Sequence, residues 1–312
     1  MDTTRRSFIY GTLAAAAAPA ISAEAKTGTQ WYSFSRVFQK FGLEKAAEIL
    51  SGAGYTGVEW TVRPGGFVEP ERARKELPHA IEVARRNGLG YETIVVEFLD
   101  PYAGEKGGGV DLLKIAADCG VKNYRPGYLR YSFTEKTARD FDNIRRGFDK
   151  FEKAARESGL RCLYQNHSTY NRQVPLVGSL VWDLWELLKD RDPKYIGVQY
   201  DVMHARAESG PSWQRGLGLV APWIGTLCLK DFKFAMDPKR PGDWKRVLVP
   251  AGEGIVDWAE FLAICRREGV AAPYSIHYDY PFPENDAAAA FVAAKKDLDF
   301  FRSHLCRLPY SR

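Results

Sequence analysis

The sequence predicts an α/β chain closed into a single (β/α)8 barrel. Three observations predict it. Short apolar, strand-like runs alternate with helix-period patterns, and eight such pairs follow one another after residue 28. No GxGxxG follows the first strand and no P-loop occurs, which argues against a doubly wound open sheet. No linker rich in Pro, Gly or Ser divides the chain, so residues 26–312 read as one domain. The length of 312 residues suits a barrel of about 250 residues with a leader. An apolar content of 45% with a net charge of +5 excludes a disordered chain. That small charge, spread over the whole length, gives no concentrated basic face, and nucleic acid is not an expected partner. No run of eighteen apolar residues exists, so no ordinary membrane span is expected.

Each element has a local reason. The strands fall at 29–34, 56–62, 89–98, 121–128, 160–168, 195–205, 224–232 and 272–280, each rich in aromatic and β-branched residues. Between them, 43–54 carries apolar residues at helical spacing and stops at Gly54. Residues 71–88 read as a helix ending at Gly88, with Pro78 marking a break or kink. A short helix covers 112–120. Residues 133–159 form a long amphipathic helix, with Thr134 as N-cap and Gly159 as stop. Helices at 179–190, 213–221, 256–269 and 284–305 complete the alternation. GEKGGGV (104–110) reads as a loop on the barrel rim.

The N-terminus reads as a sorting signal. Arg5 and Arg6 precede a mildly apolar stretch at 8–18, then Pro19 and small residues. That order is the order of a bacterial export signal. The paired arginines with Phe8 two positions on resemble a twin-arginine signal, which exports folded proteins. Residues 1–25 are therefore expected to be a signal, cut after Ser22, Ala23 or Ala25. The destination is periplasmic or otherwise exported, and the twin-arginine export machinery is an expected partner. Five cysteines remain, an odd number without a CxxC. Cys162 and Cys228 in strands, and Cys119 and Cys265 in helices, read as buried free thiols.

In such a barrel, chemistry sits at the C-terminal ends of strands. Of the five histidines, His167, His204 and His277 fall at the predicted ends of strands five, six and eight. Side chains two apart share a strand face. Gln165 therefore points with His167, Gln199 with Asp201, Cys228 with Lys230, and His277 with Asp279; Glu59 shares a face with Thr61. If these faces look inward, imidazoles and carboxylates crowd one mouth, a set that suits a divalent cation. His204, three residues after Asp201, can fold back over that mouth. Arg63 and Arg125, each before a Pro-Gly turn, can hold an acidic or hydroxylated substrate. Trp213, Trp31 and Trp60 can stack on a sugar ring.

The ordered motifs QNHS, YDVMHA, LCLKDF, PAGEGIVDW and SIHYDY resemble the sugar phosphate isomerase/epimerase family, over roughly residues 28–303. The resemblance implies a xylose-isomerase-like TIM barrel. In the family's epimerases a Glu, an Asp, a His and a Glu from strands five to eight hold one divalent metal. Two of those carboxylates move a proton beside a carbonyl. Carried over by position, the strand-five Glu is Gln165, the strand-six Asp is Asp201, the strand-seven His is Cys228 and the strand-eight Glu is His277. Only Asp201 is kept, so the two-carboxylate mechanism does not carry over unchanged.

The expected site follows. Gln165, Asp201, His204 and His277 would hold a divalent metal, one of Mn, Mg, Co or Zn. His167, Lys230 and Glu59 would carry proton transfer, and Arg63, Arg125 and Trp213 would contact substrate. The expected activity is that of an exported isomerase or epimerase acting on a small carbohydrate through an enediolate. A keto-glycoside hydrolase or lyase, or a catalytically silent sugar-binding barrel, are the alternatives.

Overall fold

Parallel strands buried on both faces have no edge that tolerates water, and closing the sheet removes the edges altogether. In the computed structural model, which describes residues 29–104, 109–132, 134–169 and 175–305, the sheet is closed. The barrel strands are β1 (Trp31–Phe34), β2 (Gly57–Thr61), β3 (Thr93–Val95), β4 (Asn123–Arg125), β5 (Arg161–Gln165), β6 (Ile196–Asp201), β7 (Ile224–Leu229) and β10 (Tyr274–Ile276). Each pairs in parallel with its neighbour, and β10 closes on β1. The predicted export signal (1–25) lies outside the described residues, as do Cys306 and part of the 104–110 loop.

The helices cover the outside: α1 (Gly42–Ala53), α2 (Ala73–Arg86), α3 (Gly109–Asp118), α4 (Thr137–Ser158), α5 (Val181–Leu188), α6 (Val202–Ser209), α7 (Trp213–Val220), α8 (Trp258–Arg267) and α9 (Ala287–Leu305). The core lies between sheet and helices. Outward strand residues Tyr124 and Tyr164 meet Phe148 and Phe151 of α4, all fully buried.

Three local readings change. Pro78 lies inside α2 without ending it; it sits on the exposed face, where water can satisfy the carbonyl left without a donor. Thr134 is not the N-cap of α4, which begins at Thr137 behind Lys136. Gly159 does end that helix, in the left-handed conformation (φ 73°). Strand six stops at Asp201, and VMHA is the first turn of α6. There the Asp201 carboxylate accepts the His204 N–H (3.1 Å), as an N-cap does.

The largest departure follows β7. The run 224–232 is not one strand: the chain breaks at Lys230 and enters a hairpin, β8 (Asp231–Met236) with β9 (Trp244–Val249). The DPKRPGD turn between two alternating runs marks it in the sequence. Asp231 anchors the hairpin base. Its carboxylate accepts the N–H groups of Phe232 (2.9 Å), Gly252 (3.1 Å), Gly254 (3.2 Å) and Val256 (3.3 Å). This pins the GEGIVDW loop under the barrel mouth. A Cβ on Gly254 would lie 1.9 Å from Asp231 Oδ1, so the loop can approach only as glycine.

Replacing Asp231 with Ala strands several of these amides. We expect Asp231→Ala to lose about 2–4 kcal/mol in denaturant unfolding, and Asp231→Asn clearly less. Equal losses in the two variants would mean that the anchor is packing rather than hydrogen bonding.

Candidate active site

Strand register sets the inner face. Gln165 on β5 pairs with Gln199 on β6, and Asp201 on β6 pairs with Cys228 on β7. These side chains, with Glu59 from β2, point into the barrel and are buried. His167, Lys230 and His277 come one or two residues after their strands end. Asn166 clamps the ends of β5 and β6: its Oδ1 accepts the Asp201 N–H (2.6 Å) and its Nδ2 donates to the Asp201 carbonyl (2.9 Å).

The Lys230 ammonium occupies the centre. It lies 3.0 Å from Asp201 Oδ2 and 2.7 Å from Asp279 Oδ2, and it donates to His204 Nε2 (2.9 Å). Burial pulls the lysine pKa down, but Asp201 and Asp279 outweigh it and hold it above the ordinary range. Lys230 therefore stays charged and is no base at neutral pH. Asp279 is held below the usual carboxylate range: burial raises it, but Lys230 and Arg36 together prevail.

His204 is wholly committed. The Lys230 ammonium donates to its Nε2, and its Nδ1 faces Ser168 Oγ (3.0 Å) and the Arg246 guanidinium from the hairpin (3.2 Å). Burial drives its pKa well below 6.5, and His167, Lys230 and Arg246 add to the effect. The expectation that His204 ligates a metal is corrected here, because its lone pair already accepts from the ammonium. Gln165 is corrected for a related reason. Its Oε1 accepts from Arg125 Nη1 (2.6 Å) and from the Tyr128 hydroxyl, which turns its Nε2, a donor, toward Asp201 (3.0 Å).

Another set of donors comes together instead. Asp201, Cys228 and His277 each offer a ligand atom, all within 4.8 Å of one another. His277 Nε2 is 3.3 Å from Cys228 Sγ and 3.7 Å from Glu59 Oε2. That Glu59 oxygen is buried without a hydrogen-bond partner, while its other oxygen accepts from Gln199 Nε2 (2.7 Å). A buried carboxylate oxygen lacking a donor suits a nearby cation. Carboxylate, thiolate and imidazole in a three-donor set fit zinc better than magnesium or manganese, which favour oxygen. Burial, with Asp201 and Glu59, raises the Cys228 thiol well above its ordinary pKa, so it keeps its proton unless a metal replaces it. Burial also lowers His277, despite the opposing Glu59 carboxylate.

Above this floor opens a cavity of about 460 Å³, lined by His167, Lys230, His277, Arg63 and Arg125 among others. Glu59, expected to take part in proton transfer, does not line it and is buried beside His277. Trp213 does not line it either. It is 2% exposed and forms, with Leu217 and Val220, the inward stripe of α7. Trp31 and Trp60 are core as well, packed against Tyr274 and Phe67. Sequence reading missed Arg36 and Tyr128 on the cavity wall, although Arg36 follows β1 as Arg63 follows β2. It missed Arg246 because it missed the hairpin.

A model of the xylose isomerase-like TIM barrel family matches residues 29–304. The chain belongs to that family. No curated protein matches it in sequence. Solved xylose isomerase-like barrels of low identity share its fold. D-psicose 3-epimerase from Clostridium cellulolyticum H10, with D-tagatose, is 12% identical, with a TM-score of 0.65 over 88% of this chain and 99% of that one. The 3-keto-D-glucoside 4-epimerase of E. coli is 13% identical, with a TM-score of 0.64 over 88% and 100%. The IOLI protein with a binding zinc atom is 16% identical, with a TM-score of 0.66 over 88% and 99%. Sugar epimerases thus stand among the structural neighbours of this barrel.

The neutral imidazoles make stability depend on pH. The His204 and His277 pKa values lie below those of the unfolded chain, about 6.5, so the unfolded chain binds more protons below that pH. Their contribution is complete above about pH 6.5 and is lost as pH falls below it. Asp183 and Asp297, pushed up to about 6 by burial, act in the opposite sense. Comparison with His204→Gln isolates the imidazole. The stability difference between wild type and variant should shrink by up to about 1.4 kcal/mol per pH unit below pH 6.5. A difference independent of pH would mean that His204 is not held neutral.

Proposed function

We propose that this chain is a sugar isomerase/epimerase-like enzyme that moves a proton beside a carbonyl through an enediolate. One observation carries the reading: an imidazole and a permanently charged ammonium, His167 and Lys230, line one cavity above a buried Asp-Cys-His donor set. His167 Nδ1 faces the Ser168 carbonyl (3.0 Å), which places its lone pair on Nε2 and makes that atom the base. Its ring is held between Tyr128 (4.7 Å between centroids) and His204 (3.7 Å). The Lys230 ammonium stabilises the negative oxygen of the enediolate. Glu59 lies 3.7 Å from His277 Nε2, and Gln165 and Asn166 hold Asp201 in place. A divalent ion at Asp201, Cys228 and His277, when bound, would polarise the substrate carbonyl. Arg5 and Arg6 before the apolar 8–18 stretch support export by the twin-arginine route.

The test is solvent deuterium exchange at carbons adjacent to the carbonyl, followed by NMR over a panel of ketoses and keto-sugars. We expect exchange in the wild type and a loss on the order of a hundredfold or more in His167→Asn. Zinc should copurify, and Cys228→Ser should lower its content. Full exchange in His167→Asn would remove the base from this scheme. Absence of exchange on every sugar would favour a binding barrel without turnover. Changing Arg5 and Arg6 to Lys should retain the protein in the cytoplasm of an exporting host.

A further inference from the structure

The cavity wall carries more positive charge than the chain itself neutralises. Arg36, Arg63, Arg125, Arg130 and Lys230 line it, against the carboxylates Glu97 and Asp279. Most of these cations have their own counter-ion. Arg63 Nη1 meets Glu97 Oε1 at 2.6 Å, Arg36 Nη2 meets Asp279 Oδ1 at 2.9 Å, and Lys230 lies between Asp201 and Asp279. Arg130 is exposed at the rim, where water screens it.

Arg125 is different. It is 5% exposed, yet among the described residues no carboxylate lies within ion-pair distance of it. Its Nη1 donates to two neutral amides, Gln165 Oε1 (2.6 Å) and Gln199 Oε1 (3.4 Å). Its Nε is buried without a partner, and its guanidinium lies 4.6 Å from the Phe34 ring centroid. Gln199 stands between it and Glu59. The Tyr128 ring lies farther off (6.0 Å), and a buried guanidinium served only by amides and rings is incompletely compensated. At Arg63 burial, opposed by Glu97 and aided by Arg125 and Arg36, pushes the pKa below the ordinary arginine value.

We infer that the substrate of this cavity carries a carboxylate, received by Arg125 with Arg63 beside it, so that the site takes a sugar acid rather than a neutral sugar. Only the sugar part of this assignment rests on the isomerase reading; the anionic group rests on Arg125. One buried cation lacks a counter-ion, which matches a monoanion. A phosphate dianion would need a second, and Arg36 and Arg63 already have theirs.

Titration calorimetry on the full-length chain tests it, with D-glucuronate and D-galacturonate against D-glucose and D-galactose, and D-glucose 6-phosphate as a third arm. We expect the acids to bind about tenfold or more tightly than their neutral counterparts, with affinity falling as salt rises. Arg125→Gln should abolish the preference. Arg63→Gln, whose exposed ion pair makes the fold less dependent on it, should reduce it several-fold. Equal affinity for acid and neutral sugar, no binding of the acids at millimolar concentration, or a preference that survives both substitutions overturns the inference. Tighter binding of the 6-phosphate overturns the carboxylate assignment. Deuterium exchange is read separately. Acid preference without exchange sinks the isomerase reading and keeps this one; exchange on neutral sugars without acid preference does the reverse.

Discussion

The inner site is organised around one buried ammonium. Lys230 follows β7 and projects under the barrel mouth, where Asp201, Asp279 and His204 converge on it. None of these groups tolerates that position alone. A buried ammonium needs counter-charge, and two carboxylates brought this close need a cation between them. The next residue, Asp231, points the other way and caps the GEGIVDW loop. The alternation of an extended chain thus gives adjacent residues separate tasks: one fixes the site and the other fixes the loop behind it.

The charge pattern of the mouth follows from this. Burial, with His167, Lys230 and Arg246, lowers the pKa of His204, and burial does the same for His277. Beneath them the thiol of Cys228 is kept protonated by burial and by two neighbouring carboxylates. The floor is therefore a set of neutral donors around Asp201, ready to exchange a proton for a metal. The wall above it is cationic.

Membership in the xylose isomerase-like barrel family accounts for the architecture and not for the chemistry. The neighbours share the strand order at 12–16% identity among those compared, which leaves the inner residues free to change. Here an amide stands at the end of β5, a thiol pairs with Asp201 across β6 and β7, and an imidazole follows β10. The cation that carboxylates demand is in part built into the chain as Lys230.

The closed barrel was legible in the sequence because eight apolar runs at a regular spacing leave few ways to bury both faces of a sheet. So was the concentration of His167, Asp201, Lys230 and His277 at one end, because a period of two assigns faces wherever a strand is correctly placed. The errors arose where that period ceases. Past Asp201 the chain turns helical, so His204 arrives from a direction that no strand pattern encodes, and past Lys230 it enters the hairpin that carries Arg246, which reading 224–232 as one strand hides. Trp213 was misplaced because an aromatic at a helix start looks the same in sequence whether its stripe faces core or solvent. The sequence by itself determined the barrel and the residue types gathered at one end of it. Only the tertiary structure decided which of them touch, that Cys228 rather than His204 joins Asp201 and His277, and that Arg125 is buried without a carboxylate. Those outcomes depend on distances between strands far apart in the chain, which local periodicity does not contain.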